Sequence, residues 1–141
     1  MSSFSEAEIA YLRSQKLGRL ATINDAGEPH VVPVGFRYNA ELDTIDIGGH
    51  GIGGSKKYRD AGKHPMVAFV VDDVVSDPAA PWQPRGIEVR GRAETLATGG
   101  KQIRPGFDDE LIRIHLTRII AWGLESEPHR PNARNVGERT T

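Results

Sequence analysis

Cysteine is absent from the 141-residue chain, which excludes disulfide bonds and thiolate chemistry. Charge of one sign is lacking as well: the formal net charge of −1 gives no overall field that would attract nucleic acid. With two tryptophans, three tyrosines and four phenylalanines, aromatic rings are too few for the stacking groove of an oligonucleotide-binding barrel. No apolar run approaches the length of a membrane span, and the first residues lack the features of a secretory signal. These absences predict a cytoplasmic protein that binds neither nucleic acid nor membrane.

Hydrophobic residues make up 38% of the chain and charged residues 26%, which is ordinary for a soluble globular domain. The length predicts one domain, which we place at residues 1–124. Residues 125–141 carry prolines and asparagines without periodicity. We expect this C-terminal tail to fold only if another surface receives it.

Apolar and polar residues alternate with a period of two along most of the chain, which is typical of half-buried strands. Short turns join these segments, which lie at 18–24, 30–38, 42–48, 66–71, 85–96, 111–116 and 118–124. A helix is predicted after Ser5 and another from Ser55 to about Gly62. The predicted fold is therefore mainly β: a six- to seven-stranded antiparallel barrel with a short N-terminal helix and one mid-chain helix. Residues 72–84 and 97–108 are interpreted as loops, the second one mobile.

The stretch from Ile47 to Lys57 carries the clearest chemical signal. Five glycines separate a predicted strand from a predicted helix, and they allow the backbone to approach a ligand closely. Ser55 can cap that helix, whose first N–H groups and positive dipole end then point outward. Lys56 and Lys57 add full charges at the same place. Together these features predict an anion site, most simply for a phosphate.

Two other phosphate-binding motifs, the dinucleotide fingerprint and the P-loop, do not fit this stretch. The spacing of Gly49, Gly51 and Gly54 matches a dinucleotide fingerprint, but the surrounding hairpins are not the βαβ units that this fingerprint requires. The order Gly-Ser-Lys is not that of a P-loop. No histidine pair has metal-ligand spacing, so no metal site is predicted, and His50 is the one histidine with a candidate role. Trp82 and Trp122 are either stacking residues or simple core cover.

The order of these segments resembles a known family. The residues that carry the resemblance are Gly-Arg-Leu-Ala-Thr-Ile-Asn, Glu-Pro-His-Val-Val-Pro-Val, the glycine stretch with Ser-Lys-Lys-Tyr-Arg-Asp, His-Pro-Met-Val-Ala-Phe-Val-Val, and Ile-Glu-Val-Arg-Gly-Arg-Ala-Glu. Over roughly residues 5–124 the chain resembles the pyridoxamine 5'-phosphate oxidase-like split β-barrel flavoproteins. It is most similar to the branch of oxidoreductases that use the deazaflavin coenzyme F420.

The resemblance implies a split barrel of the FMN-binding type and a homodimer with two cofactor sites at its interface. It also implies a cofactor-binding set of ten residues: Val32, Pro33, Val34, Ile47, Gly48, Gly49 and His50 against the ring system, and Ser55, Lys56 and Lys57 at the phosphate. The further substrate-phosphate residues and longer C-terminal segment of the true pyridoxamine phosphate oxidases are not found. Vitamin B6 oxidation is therefore not expected.

The functional expectation is an oxidoreductase that transfers a hydride between bound reduced coenzyme F420 and a small organic substrate. An FMN-binding oxidase or reductase is the alternative cofactor assignment, since the two lysines would serve either phosphate. A non-catalytic cofactor-binding or carrier protein is the second alternative, because no side chain can be assigned as a general acid or base.

Overall fold

The computed structural model describes residues 2–137 of the chain. Seven antiparallel strands form one sheet, with two α-helices and two short 3-10 turns in the connections. In chain order these elements are α1 (Glu6–Ser14), β1 (Leu17–Ile23), β2 (Pro29–Asn39), β3 (Thr44–Gly48), a 3-10 turn (Ile52–Gly54), α2 (Lys56–Lys63), β4 (Met66–Asp77), β5 (Ala80–Leu96), a 3-10 turn (Gly100–Gln102), β6 (Leu111–Trp122) and β7 (Asn132–Asn135). The predicted β class and strand number are confirmed.

The sheet closes on itself through β3. Neighbouring strands run β3-β2-β1-β4-β5-β6-β7, and β3 pairs additionally with the first half of β6. Six strands therefore form a ring, and β7 pairs with the second half of β6 at the opening that remains. This is the split form of an antiparallel barrel, in which closure removes most of the exposed strand edges.

The barrel interior holds the hydrophobic core. Alternate residues of each long strand point inward, as the period-two pattern predicts. The side chains with 1% or less of their surface exposed include Leu20, Ile45, Ile47, Phe69, Ile87, Val89, Ile112, Ile114 and Ile119. Helix α1 adds Leu12 to this core, and its N-terminus has the predicted cap, in which Ser5 and Glu8 exchange hydrogen bonds.

Residues 72–84 form a β-hairpin, so their interpretation as an irregular loop is wrong. β4 continues to Asp77, β5 begins at Ala80, and Asp73 lies opposite Arg85. Prolines are tolerated here because the first part of β5 pairs with β4 alone, while β6 reaches back only as far as Gly86. A proline can therefore direct its missing N–H group toward the unpaired side.

Two further segments differ from the prediction. The strands expected at 111–116 and 118–124 are one strand, β6, in which a bulge at Thr117 shifts the register between Arg90 and Gly91 of β5.

Part of the predicted tail also joins the sheet, as β7. Its Arg134 guanidinium donates to both carboxylate oxygens of Glu8 and, at 2.9 Å, to the carbonyl oxygen of Ser3. Residues 138–141 lie outside the described part of the chain.

Replacing Arg134 with methionine should lower the free energy of unfolding by about 3 kcal/mol, because it leaves the Glu8 carboxylate buried without its cation. Glu8 is 1% exposed, so water cannot replace the lost partner. Urea denaturation monitored by circular dichroism measures the change. Arg130→Met is the matched control: its ion pair with Glu127 is 85% and 77% exposed, so we expect a change within about 0.5 kcal/mol. Equal effects of the two variants would contradict a clamping role for Arg134.

Candidate cofactor-binding site

The predicted capping serine begins the mid-chain helix. The Ser55 hydroxyl accepts a hydrogen bond from the backbone N–H of Tyr58 at 3.3 Å and donates one to the carbonyl oxygen of Ile52 at 2.6 Å. The glycine segment that leads into this cap includes Gly51, whose φ of 67° lies in the left-handed region that glycine favours. The start of α2 is therefore fixed at the end of the glycine segment, as the sequence predicts.

The two lysines at the start of α2 differ in their surroundings. Lys56 Nζ lies 3.6 Å from a carboxylate oxygen of Asp60 one turn later, and Asp60 is buried. Lys57 is half-buried and forms no ion pair with any residue in the range 2–137. The backbone N–H groups of both lysines lie in the first turn, where an α-helix offers no acceptor. Lys57 is thus the uncompensated cation beside free N–H donors.

The predicted ring-binding segments of β2 and β3 adjoin each other. Gly35 and Gly48 are register partners, and the β2–β3 ladder extends from them only toward Asn39 and Thr44. Residues 29–34 of β2 pair with β1 and, within the described chain, with no second strand. Pro33 has no N–H group to donate, which fits a position that pairs with β1 and not with β3. The backbone of Val32–Val34 therefore has one side available to a ligand.

The ten predicted site residues differ in how far their side chains are exposed to a ligand. Val34 and Ile47 point into the core, with 4% and 0% of their surface exposed, so only their backbone can meet a ligand. Gly48 is buried as well, and Val32, Gly49 and Ser55 are half-buried. Pro33 and His50 present exposed side chains. The accessible site is therefore a surface of backbone, one proline, one histidine and the start of α2.

A segment far along the chain covers part of this surface. The N–H of Asp108 donates to the carbonyl oxygen of Gly49 at 3.1 Å, and the Asp108 carboxylate accepts from the N–H of Gly51 at 2.6 Å. The neighbouring Phe107 ring lies edge-on to the His50 ring, with centroids 5.8 Å apart. The expectation of a mobile loop over residues 97–108 missed these contacts, because no local pattern signals a partner more than fifty positions away.

Three further residues lie on or beside the β4–β5 hairpin: Arg85, and the two tryptophans considered above for stacking, Trp82 and Trp122. Arg85 donates two hydrogen bonds to Asp73 and lies over the Tyr11 ring at 4.8 Å, so it ties the β4–β5 hairpin to α1. Burial and the hydrogen bond to Asp73 raise the pKa of Tyr11. Trp82 is 72% exposed on the hairpin, and Trp122 packs against Gly86. Arg85 and Trp122 thus have structural contacts.

Two grooves lie elsewhere on the described chain. A groove of about 650 Å³ runs between Leu42 and His115, and one of about 430 Å³ between Arg37 and Gln102. Neither groove is lined by any of the ten predicted residues. The candidate site therefore lies outside both grooves. No helix in residues 2–137 has the length and apolar character needed to cross a membrane.

Comparison with known proteins decides the family. The sequence profile of the family described as pyridoxamine 5'-phosphate oxidase matches residues 4–137. The chain belongs to this family. A 5a,11a-dehydrotetracycline/5a,11a-dehydrooxytetracycline reductase of Streptomyces rimosus is 48% identical over 125 residues, which cover 88% of this chain and 86% of the relative. The chain is therefore an oxidoreductase of the pyridoxamine 5'-phosphate oxidase family.

Solved structures of low sequence identity share the fold. An FAD-binding protein from Mycobacterium smegmatis has a TM-score of 0.62 at 22% identity, with 94% of this chain and 98% of that chain covered. A protein described as an F420 reductase has a TM-score of 0.59 at 22% identity, with 82% and 98% covered. These similarities confirm the split barrel.

A buried carboxylate supports the strand that carries one side of the site. Asp46 of β3 is fully buried and accepts two hydrogen bonds from Arg113, at 3.0 and 3.1 Å, with others from Asn39 and Thr44. Burial alone would raise the pKa of Asp46, but the hydrogen bonds from Arg113 and Asn39 outweigh it and hold the pKa below its ordinary value.

The sign of this shift predicts acid sensitivity. A carboxylate with a lowered folded-state pKa stabilises the fold above its unfolded pKa, about 3.9, and loses that contribution as pH falls through the folded value. Asp46→Asn should therefore be clearly less stable than the wild type at pH 7, and the difference should shrink between pH 5 and pH 2.5. Urea denaturation across this range measures it. Glu41→Gln, at an exposed position, is the control and should show a constant, small difference. A difference that does not narrow in acid for Asp46→Asn would contradict this role.

Proposed function

We propose that the protein is a homodimeric oxidoreductase that transfers a hydride from reduced coenzyme F420 to a carbon–carbon double bond of a small conjugated organic substrate. Lys57 carries this proposal. It is a half-buried cation without an ion-pair partner in residues 2–137, and it lies beside the free N–H groups of the first turn of α2. The family resemblance assigns the cofactor phosphate to this position.

The surroundings of Lys57 fit a phosphate. The two N–H groups and the helix dipole favour an anion there, and a charge-assisted hydrogen bond from a lysine adds to both. Asp60 compensates Lys56, so the local charge is lower than the two lysines alone would give. We therefore expect Lys57 to supply most of the side-chain contribution to phosphate binding.

The unpaired edge of β2 fits a flat ring. Residues 29–34 have no second partner strand along this edge within the described chain, and Pro33 presents an exposed apolar surface there. When bound in its reduced form, the deazaflavin would supply a hydride to one alkene carbon and release its ring proton, while water supplies the proton for the other carbon. The protein's part is to hold and orient the ring and to shield it from water.

The reductase relative supports the choice of substrate. Its name describes reduction of a 5a,11a-dehydro compound, which carries a carbon–carbon double bond, and this chain shares 48% of its residues over 125 positions. Reduction of an alkene conjugated to a carbonyl needs a two-electron hydride donor, which the deazaflavin is. FMN remains the alternative cofactor, since its phosphate would use the same lysine.

An exposed apolar face supports the homodimer. The outward residues of β1, β2 and β4 form an apolar patch, in which Val31 lies opposite Ala21, Ala21 opposite Ala68, and Ile23 opposite Pro29. Four of its members are 40–64% exposed: Leu17, Ile23, Val31 and Met66. Large contiguous apolar patches mark interaction surfaces. A second copy packed on this face would border the β2 edge and enclose the ring.

Lys57→Ala should weaken coenzyme binding by about 1.5–3 kcal/mol, or roughly 10- to 150-fold in Kd, because a charge-assisted phosphate contact is lost. Fluorescence titration of the purified protein with coenzyme F420, and separately with FMN, measures the change and decides the cofactor. Lys63→Ala is the matched control, since it removes the same charge from the opposite end of the same helix. An unchanged Kd for Lys57→Ala would contradict the anchoring role, and binding of neither cofactor would favour a different function.

Val31→Asp should convert a dimer into a monomer at micromolar concentration, because it places a charge in the centre of the apolar patch. Sedimentation velocity gives the assembly state. Leu42→Asp is the control, since Leu42 is 51% exposed but lies in the β2–β3 turn, away from the patch. A wild-type protein that sediments as a monomer would contradict the interface. If the ring site needs both copies, the Val31→Asp variant should also bind the coenzyme more weakly.

A further inference from the structure

Two facing glycines make a seat for an aromatic ring. Gly35 of β2 and Gly48 of β3 are register partners. A Cβ atom at Gly35 would lie 2.8 Å from Phe107 Cζ, and one at Gly48 would lie 2.7 Å from Phe107 Cδ2. Both distances are too short for real carbon contacts, so this edge of the Phe107 ring fills the space that the two missing side chains leave.

The segment that carries Phe107 is held at several points. Asp108 binds the backbone of Gly49 and Gly51, as described above. Arg37 of β2 donates to the carbonyl oxygen of Gln102 at 3.2 Å, and the N–H of Gly99 donates to the Asp109 carboxylate at 3.0 Å. These bonds anchor the segment at its beginning, middle and end. The Phe107 ring therefore has a defined position on the sheet.

That position borders the proposed ring site. Pro33 precedes Gly35 by two residues on the same face of β2, which places them roughly 7 Å apart along the strand. A flat ring lying over Pro33 would extend toward Phe107. The Arg104 guanidinium lies 5.4 Å from the centroid of the Phe107 ring, and the His50 ring meets the Phe107 ring edge-on. Phe107 thus forms an apolar wall at this end of the surface.

We propose that Phe107 is a specificity-determining residue whose ring limits the length of the conjugated substrate that fits beside the cofactor. The inference rests on the proposed function, because it needs the cofactor ring over the β2 edge. Phe107 lies on Gly48 and beside His50, two of the residues assigned to the cofactor ring, whereas the phosphate is assigned to Lys57 in α2. Changing Phe107 should therefore alter the choice between short and long substrates by a larger factor than it alters cofactor affinity.

The test compares a one-ring and a four-ring enone, cyclohex-2-en-1-one and 5a,11a-dehydrotetracycline. Dissociation constants are measured by calorimetry with the oxidised coenzyme bound, when no turnover occurs, and kcat/KM is measured with the reduced coenzyme. Phe107→Ala should raise the preference for the four-ring compound roughly tenfold in both measurements, since removal of an apolar wall is worth this much discrimination. Phe107→Leu keeps an apolar side chain for packing and should give a smaller shift in the same direction.

Leu42→Ala is the control, because it removes an exposed apolar side chain at the opposite end of β3 from Gly48. If the preference for the four-ring over the one-ring compound changes less than twofold in both Phe107 variants, and coenzyme affinity is retained, then Phe107 does not limit substrate length. The proposed function would be unaffected by that result. A loss of coenzyme affinity as large as the change in substrate preference would also overturn the specificity role of Phe107, since Phe107 would then mainly support the cofactor. A wild-type protein that binds neither coenzyme F420 nor FMN would overturn both proposals.

Discussion

The barrel depends on the closure made by β3. This strand has five residues, all of them buried, and it pairs with β2 on one side and with β6 on the other. Asp46 places a carboxylate in the middle of this seam, and the residues that satisfy it come from both neighbouring strands, Asn39 from β2 and Arg113 from β6. A buried charge is tolerated only when its partners are in place. Closure of the ring and satisfaction of Asp46 therefore depend on each other.

Closure also decides where the chemistry can lie. Because β3 ends at Gly48 while β2 continues back to Pro29, the β2 backbone beyond Gly35 has no partner strand on its outer side in the described chain. The glycine segment leaves β3 at this point and delivers α2 with its capped N-terminus. The end of β3 at Gly48 thus leaves an unpaired edge of β2, where a flat ring can lie, and is followed by the start of α2, where an anion can bind.

The start of α2 shows how neighbouring identical residues acquire different roles. Lys56 and Lys57 are indistinguishable as letters in a chain, but helical geometry brings Asp60 within 3.6 Å of Lys56, the residue four positions earlier. Lys57 points elsewhere and keeps its charge available. Asp60 is itself buried, so its carboxylate needs the nearby cation more than a solvated one would.

The sequence by itself determined the local features of this protein. Alternation identified most strands, Ser55 and the glycines identified the start of α2, and the order of motifs identified the family, because each of these depends on neighbours along the chain. The tertiary structure alone decided the long-range ones. The 72–84 hairpin needs β4 as a template for a proline-bearing strand, β7 needs β6 and the buried Glu8, and Phe107 needs the slot between two paired glycines. Such contacts join residues that are distant in sequence, and no local periodicity or propensity records them.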